Sequence, residues 1–153
     1  DVEFPLKQLV EIALRAISPA VNDPFTAVRC IDRLSVALCY LLTKGQQNVY
    51  LFEASGQLRI IRSPVTVEKM IDQAFDQIRQ YGKTDTGVTL RLLDAIEVIG
   101  KRTRTERERT TLRNQAEMIS KGAEVGLPEV RDRQTVNAQY QQTVKALTAP
   151  LLS

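Results

Sequence analysis

Residues able to do chemistry gather in a few places along this chain of 153, and one absence limits all of them. Histidine is missing altogether. That removes the commonest general base, the commonest metal ligand and the usual switch near neutral pH, and it excludes serine-histidine and cysteine-histidine mechanisms. The first cluster is Arg15-Ala16-Ile17-Ser18-Pro19-Ala20-Val21-Asn22-Asp23-Pro24-Phe25-Thr26, where rigid and polar residues meet at an interhelical corner. A helix starting at Pro24 would present free N–H groups and a partial positive charge to an anion or a partner's carboxylate. Asp23 competes for that place as an N-cap, and a structural corner is the commoner outcome. The second cluster is Asp72 and Asp76 on one helical face, with Arg79 three residues beyond Asp76. Paired carboxylates can share a divalent cation, but two of them without further oxygen ligands nearby more often form a solvated face.

The third cluster is basic. Lys101, Arg102, Arg104, Arg107, Arg109 and Arg113 stand against Glu106 and Glu108. Such a stretch suits anionic lipid headgroups or a nucleic-acid backbone, yet the interspersed acids and the lack of aromatic residues favour an ordinary solvated helix start. Cys30 and Cys39 make the fourth feature. Nine residues apart in one helix, they lie on opposite faces, roughly 13 Å apart along the axis, and cannot bridge each other. Two unpaired thiols fit a reducing compartment, and their bland role is as small apolar core residues. Glycine-rich phosphate loops, zinc-binding helical motifs and calcium loops are absent.

The elements that must position these residues are mainly helical. Leu6, Leu9, Val10, Ala13 and Ile17 recur at helical spacing after Pro5, and Ser18-Pro19 stops the pattern. Asp23 caps a second helix with Pro24 in its first position, lined by Ala27, Ile31, Leu34, Leu38 and Leu41 and ended by Gly45. Over residues 48–62, Val49, Tyr50, Leu51 and Phe52, then Ser55-Gly56, then Leu58, Ile60 and Ile61, predict a short β-hairpin between helices two and three that must lie against the helices or a partner. The third helix carries the cleanest stripe, Val67, Met70, Ile71, Ala74, Phe75, Ile78 and Tyr81, and stops at Gly82. Asp85 caps a fourth running to about residue 101. Thr105 with Glu108, and Thr103 with Glu106, have capping-box spacing ahead of a fifth lined by Leu112, Ala116, Ile119 and Ala123 and ending near Gly126. Pro128 opens a sixth with a thin apolar stripe of Val130, Tyr140, Val144 and Leu147, which either docks loosely or depends on a neighbouring chain. The expected fold is therefore mainly α, a bundle of about six helices plus one hairpin, in a single domain over residues 1–153 with no repeat and no internal linker.

Composition agrees with that class. The chain is 43% hydrophobic but only 5% aromatic, with no Trp, so Leu, Ile, Val and Ala must fill the core, as they do when helices pack on helices. Twenty-one basic residues against eighteen acidic ones leave a mixed surface unlike that of a dedicated nucleic-acid binder. No apolar run is long enough to span a bilayer.

The run Ile17-Ser18-Pro19-Ala20-Val21-Asn22-Asp23-Pro24-Phe25-Thr26-Ala27, with the helical residues from Leu6 that precede it, resembles the signature of a bacterial family of predicted membrane proteins, domain of unknown function 2254. Ala74-Phe75-Asp76-Gln77-Ile78-Arg79-Gln80-Tyr81 resembles a later segment of the same family. The resemblance covers residues 1–99 well and the remainder only by helical character. It implies a multi-pass membrane protein with transmembrane helices upstream of Asp1 and a soluble C-terminal region to which this chain belongs. It supplies no catalytic residue and no cofactor.

The reading that results is an accessory domain of a bacterial membrane protein, acting in assembly, regulation or sensing, on the cytoplasmic side. Its expected partner is the membrane, through helices outside this chain, and self-association is left open. The first alternative is a small-ligand or enzymatic site at the 18–26 corner, whose candidate polar cluster is Arg15, Ser18, Asn22, Asp23, Thr26, Asp76 and Arg79. The second is nucleic-acid binding through the basic stretch 101–113. No catalytic residue, cofactor-binding residue or metal ligand is assigned.

Overall fold

Pro5 in a first turn, Asp23 before Pro24 and three further polar caps divide the described residues into six helices. The computed structural model describes residues 2–45, 50–61 and 65–152. Its helices are α1 (Glu3–Ile17), α2 (Pro24–Lys44), α3 (Val67–Gly82), α4 (Thr86–Gly100), α5 (Glu106–Gly126) and α6 (Val130–Thr148). Side-chain oxygens of Asp23, Thr66, Asp85 and Thr105 accept from backbone N–H groups in the first turns of α2 to α5, satisfying donors that a helix start leaves open. At Thr105 the reciprocal bond from the Glu108 side chain completes a capping box. The competing pair does not form one. Thr103 is buried, donating to the Gly100 carbonyl at 2.6 Å, and Glu106 pairs with Arg113.

The helices stack in two layers. α1, α3 and α5 pack side by side in one, and α2, α4 and α6 in the other, with α1 against α2 and α5 against α6 closing the ends. A single core cluster runs between the layers, with Ile31, Leu34, Leu38, Phe75, Leu92 and Ile96 almost wholly withdrawn from solvent. Because consecutive helices alternate between layers, each helix meets from two to four others, α3 and α4 the most.

The expected fold class is corrected to all-α. Tyr50–Phe52 (β1) and Leu58–Ile61 (β2) run antiparallel to each other with an irregular register after Leu51, but among the described residues the backbone of this pair packs against no helix. It supplies no layer, so the hairpin predicted to lie against the helices is not an element of the architecture. Asn48, Val49 and Arg62, which that expectation included, lie outside the described residues. The physical reason is length. Three or four residues can pair locally, but an isolated pair this short is marginal and does not by itself make a layer.

Two smaller corrections concern stripes. Tyr81 continues the α3 periodicity but is 69% exposed, because the helix has reached the end of the layer there. α6 does dock, against α4 and α5, through Val136, Thr143 and Leu147, whereas Val130 is exposed. Thr143 is admitted to the core because its hydroxyl donates to the Leu93 carbonyl at 3.2 Å. Gly100 allows the close approach, since a Cβ there would strike the Leu147 side chain.

Candidate functional site

The 18–26 corner is built mainly from its own backbone. Ser18 turns to extended backbone at the end of α1, and its hydroxyl donates to the Arg15 carbonyl at 2.7 Å. The N–H of Asn22 donates to the Ser18 carbonyl at 2.8 Å and that of Asp23 to Ala16 at 2.7 Å, closing the turn. Asn22 sits at φ 48°, the left-handed region that Asn tolerates better than most residues. Asp23 then uses both carboxylate oxygens on one residue, accepting from the Thr26 N–H at 3.2 Å and the Thr26 hydroxyl at 2.5 Å. These bonds, the hydroxyl's first, hold the Asp23 carboxyl below the usual aspartate range. The helix start is thus already occupied by a built-in anion, and the Arg15 side chain stands exposed.

Asp76 and Arg79 do not complete this corner. They pair with each other at 3.0 Å and face α5, where the wholly buried Gln115 bridges them. Its amide nitrogen donates to Asp72 and to Asp76, both at 2.8 Å, and its amide oxygen accepts from Arg79 Nε at 3.3 Å. The quartet satisfies itself. Among the described residues, no hydrogen bond or ion pair joins Asp76 or Arg79 to Arg15, Ser18, Asn22, Asp23 or Thr26. Nor does any group of three or more acidic or cysteine side chains among them converge as a metal site. The carboxylate pair serves instead as one half of a polar seam between α3 and α5.

Asp72 and Asp76 also line one wall of a groove of about 460 Å³ between α1 and α3, floored by Leu6 and Val10 and flanked by Lys7 and Lys69. The volume suits a small ligand. Its lining offers charge of both signs and two glutamine amides, Gln73 and Gln77.

The basic stretch is dispersed by the fold. Lys101 pairs with Glu97 at 3.4 Å and Arg113 with Glu106 at 2.5 Å, while Arg102, Arg104 and Arg107 stand exposed. Arg109 turns inward and is buried. Its guanidinium donates to the Thr103 hydroxyl at 2.8 Å, to the Leu147 carbonyl at 3.1 Å, to the Ala149 carbonyl and to Pro150 at 3.4 Å, tying down the end of α6. A cation at the negative end of a helix is doubly favoured, by the carbonyls it meets and by the dipole. Gln115 carried no expectation, and Arg109 was expected only as one cation of the basic stretch, not as a buried anchor. The signal was available, because Arg109 continues the stripe of Leu112, Ala116 and Ile119 one turn upstream and Gln115 falls beside Leu112 and Ala116.

Both cysteines are free, Cys30 buried and Cys39 half-buried. Burial pushes both thiols up, more than the nearby Arg29, Arg33 and Arg102 pull them down, so they stay protonated and unreactive.

A profile of the family described as Predicted membrane protein (DUF2254) matches residues 1–98, the span that carries the corner, the α3 carboxylates and most of α4. The chain belongs to that family. Similar curated proteins are uncharacterized ones from Mycobacterium bovis and from two strains of Mycobacterium tuberculosis, each 25% identical over 150 residues. The match covers 98% of this chain but 29% of each of theirs, so the chain spans under a third of the length of these relatives. No solved structure matches it. Among the described residues, no helix is long and apolar enough to cross a membrane.

Proposed function

We propose that this chain is an extramembrane, cytoplasmic accessory domain of a membrane protein of the family, with a role in assembly, regulation or sensing and no chemistry of its own. One observation carries the reading: the family is one of predicted membrane proteins, yet none of the described helices can cross a bilayer. The spans then belong to other parts of the full-length protein, for which relatives more than three times as long leave room. The free thiols support the cytoplasmic side, since a reducing compartment keeps them unpaired. The self-satisfied corner and the α3–α5 seam support a non-catalytic role, because their polar groups are spent on one another. The test uses the full-length protein with Cys30 and Cys39 replaced by Ser and a single cysteine placed at the exposed Ser55. Retention in the membrane fraction after alkaline wash, with no labelling of intact cells by an impermeant maleimide and full labelling after permeabilisation, is the expected result. Release by the wash would overturn the membrane reading. Labelling in intact cells would overturn the sidedness.

A further inference from the structure

The outer face of α2 has no partner in the fold. Phe25, Arg29, Arg33, Val36, Tyr40 and Lys44 follow one another at intervals of three or four and form a continuous outward stripe along a helix about 30 Å long. Phe25 is 76% exposed, Val36 71% and Tyr40 58%, although the opposite side of the same helix supplies Ile31, Leu34 and Leu38 to the core. None of the three cations has an ion pair among the described residues. Lys44 lies over the Tyr40 ring, 5.5 Å from its centroid. The one acid on that side, Asp32, is engaged by Arg91 of α4 at 3.3 Å and so is drawn toward the edge of the stripe.

This combination is specific in what it suits. Along this face positive charge without an acid partner alternates with large apolar and aromatic side chains. A nucleic acid would reward the cations and stack on an exposed ring, but it offers nothing to Val36. An apolar protein surface would reward Phe25 and Val36 but not three unmatched cations. An anionic bilayer surface rewards both, since headgroup phosphates take the cations while aromatic and aliphatic side chains enter the boundary with the acyl chains. Tyr suits that boundary because its ring is apolar and its hydroxyl is not.

We infer that the outer face of α2 docks on a membrane surface rich in anionic phospholipid, laying the domain flat against the bilayer through α2. The inference goes beyond the function proposed above and does not depend on it, because it concerns how this chain itself meets lipid and not where the spans lie.

The test is flotation of the 153-residue chain with vesicles of phosphatidylcholine alone and of phosphatidylcholine mixed equally with phosphatidylglycerol. Binding is expected to the mixed vesicles only, weakening as salt rises. Neutralising Arg29, Arg33 and Lys44 together to Gln should lower the partition coefficient by about fivefold per cation, on the order of a hundredfold in all. Val36→Ser with Tyr40→Ser should weaken binding even at low salt, whereas Lys69→Gln with Lys83→Gln, two cations around α3, should leave it unchanged. Arg29→Lys with Arg33→Lys keeps the charge and should keep the binding, which separates loss of the surface from loss of the fold. Failure to float with the mixed vesicles overturns the inference. So does equal weakening by the α3 substitutions, which would make the effect one of net charge alone. Binding to a duplex oligonucleotide that is tighter than binding to vesicles and lost in the triple Gln variant would also overturn it, and would assign the stripe to nucleic acid.

Discussion

A carboxylate in front of a proline and an arginine turned inward hold the two ends of this molecule. Asp23 binds Thr26 through both carboxylate oxygens, and its depressed ionisation means that its contribution to stability is present above the pKa of the unfolded residue and is lost as pH falls through the folded value. The melting temperature should therefore begin to fall below about pH 4, and Asp23→Ala should flatten that part of the profile while lowering the midpoint at neutral pH. A parallel descent of variant and parent would show that the cap is not what titrates. Arg109 is the larger contributor. Arg109→Ala leaves the Thr103 hydroxyl and the carbonyls around Leu147 without their donor, and a loss of about 3 kcal/mol in denaturant unfolding is expected. Arg109→Lys should recover only part of it, because one ammonium cannot reach as many carbonyls as a planar guanidinium. Of the two, Asp23 was legible in the sequence, since a capping residue acts on neighbours three positions away. Arg109 acts on residues 38 to 41 positions away, and although its place on the α5 stripe marks it for burial, no local pattern says which carbonyls it meets.

At the scale of helices, the spacing between apolar residues placed the elements well. The ends expected at Gly45, Gly82 and Gly126 lie at or within a residue of the observed ones, because glycine, proline and cap residues act locally on the backbone. What the helices do to one another was less visible. Gly122 and Gly126 look equivalent in sequence, and in an isolated helix Ala would be better at both. The structure separates them. A Cβ on Gly122 would meet Lys83 Cβ at 3.6 Å, an ordinary contact, whereas one on Gly126 would collide with the Lys83 backbone carbonyl. Gly122→Ala should stabilise the fold by about 0.5–1 kcal/mol. Gly126→Ala should destabilise it by about 1–3 kcal/mol. Thermal melts of the two variants check both signs at once, and stabilisation by both would mean that α5 and the α3–α4 connection are not as close as described. The polar seam belongs to this scale as well. Asp72, Asp76 and Arg79 were recognised as a pair on one helical face, but their shared partner Gln115 lies on another helix, and only packing chose it over a metal or solvent.

Among the described residues the helices make two layers of three, with odd and even helices segregated. Nothing of the β1–β2 pair enters that arrangement. Replacing residues 50–61 with a glycine-serine segment of the same length should accordingly change unfolding free energy by less than about 1 kcal/mol, since loop closure between α2 and α3 is unaltered. A loss of several kcal/mol would show that the segment does pack on the helices. From the sequence alone came the helical class, the number of helices, most of their bounds and the family, because propensity, capping and the 3.6-residue period are properties of contiguous residues. The tertiary structure alone decided which polar residues meet, that the corner and the α3 carboxylates are separate places, that Arg109 is an anchor and not part of a basic patch, and that the α2 stripe faces outward. Those outcomes depend on which helix lies beside which, and that choice rests on the summed burial of six stripes, in which no single segment carries the deciding share.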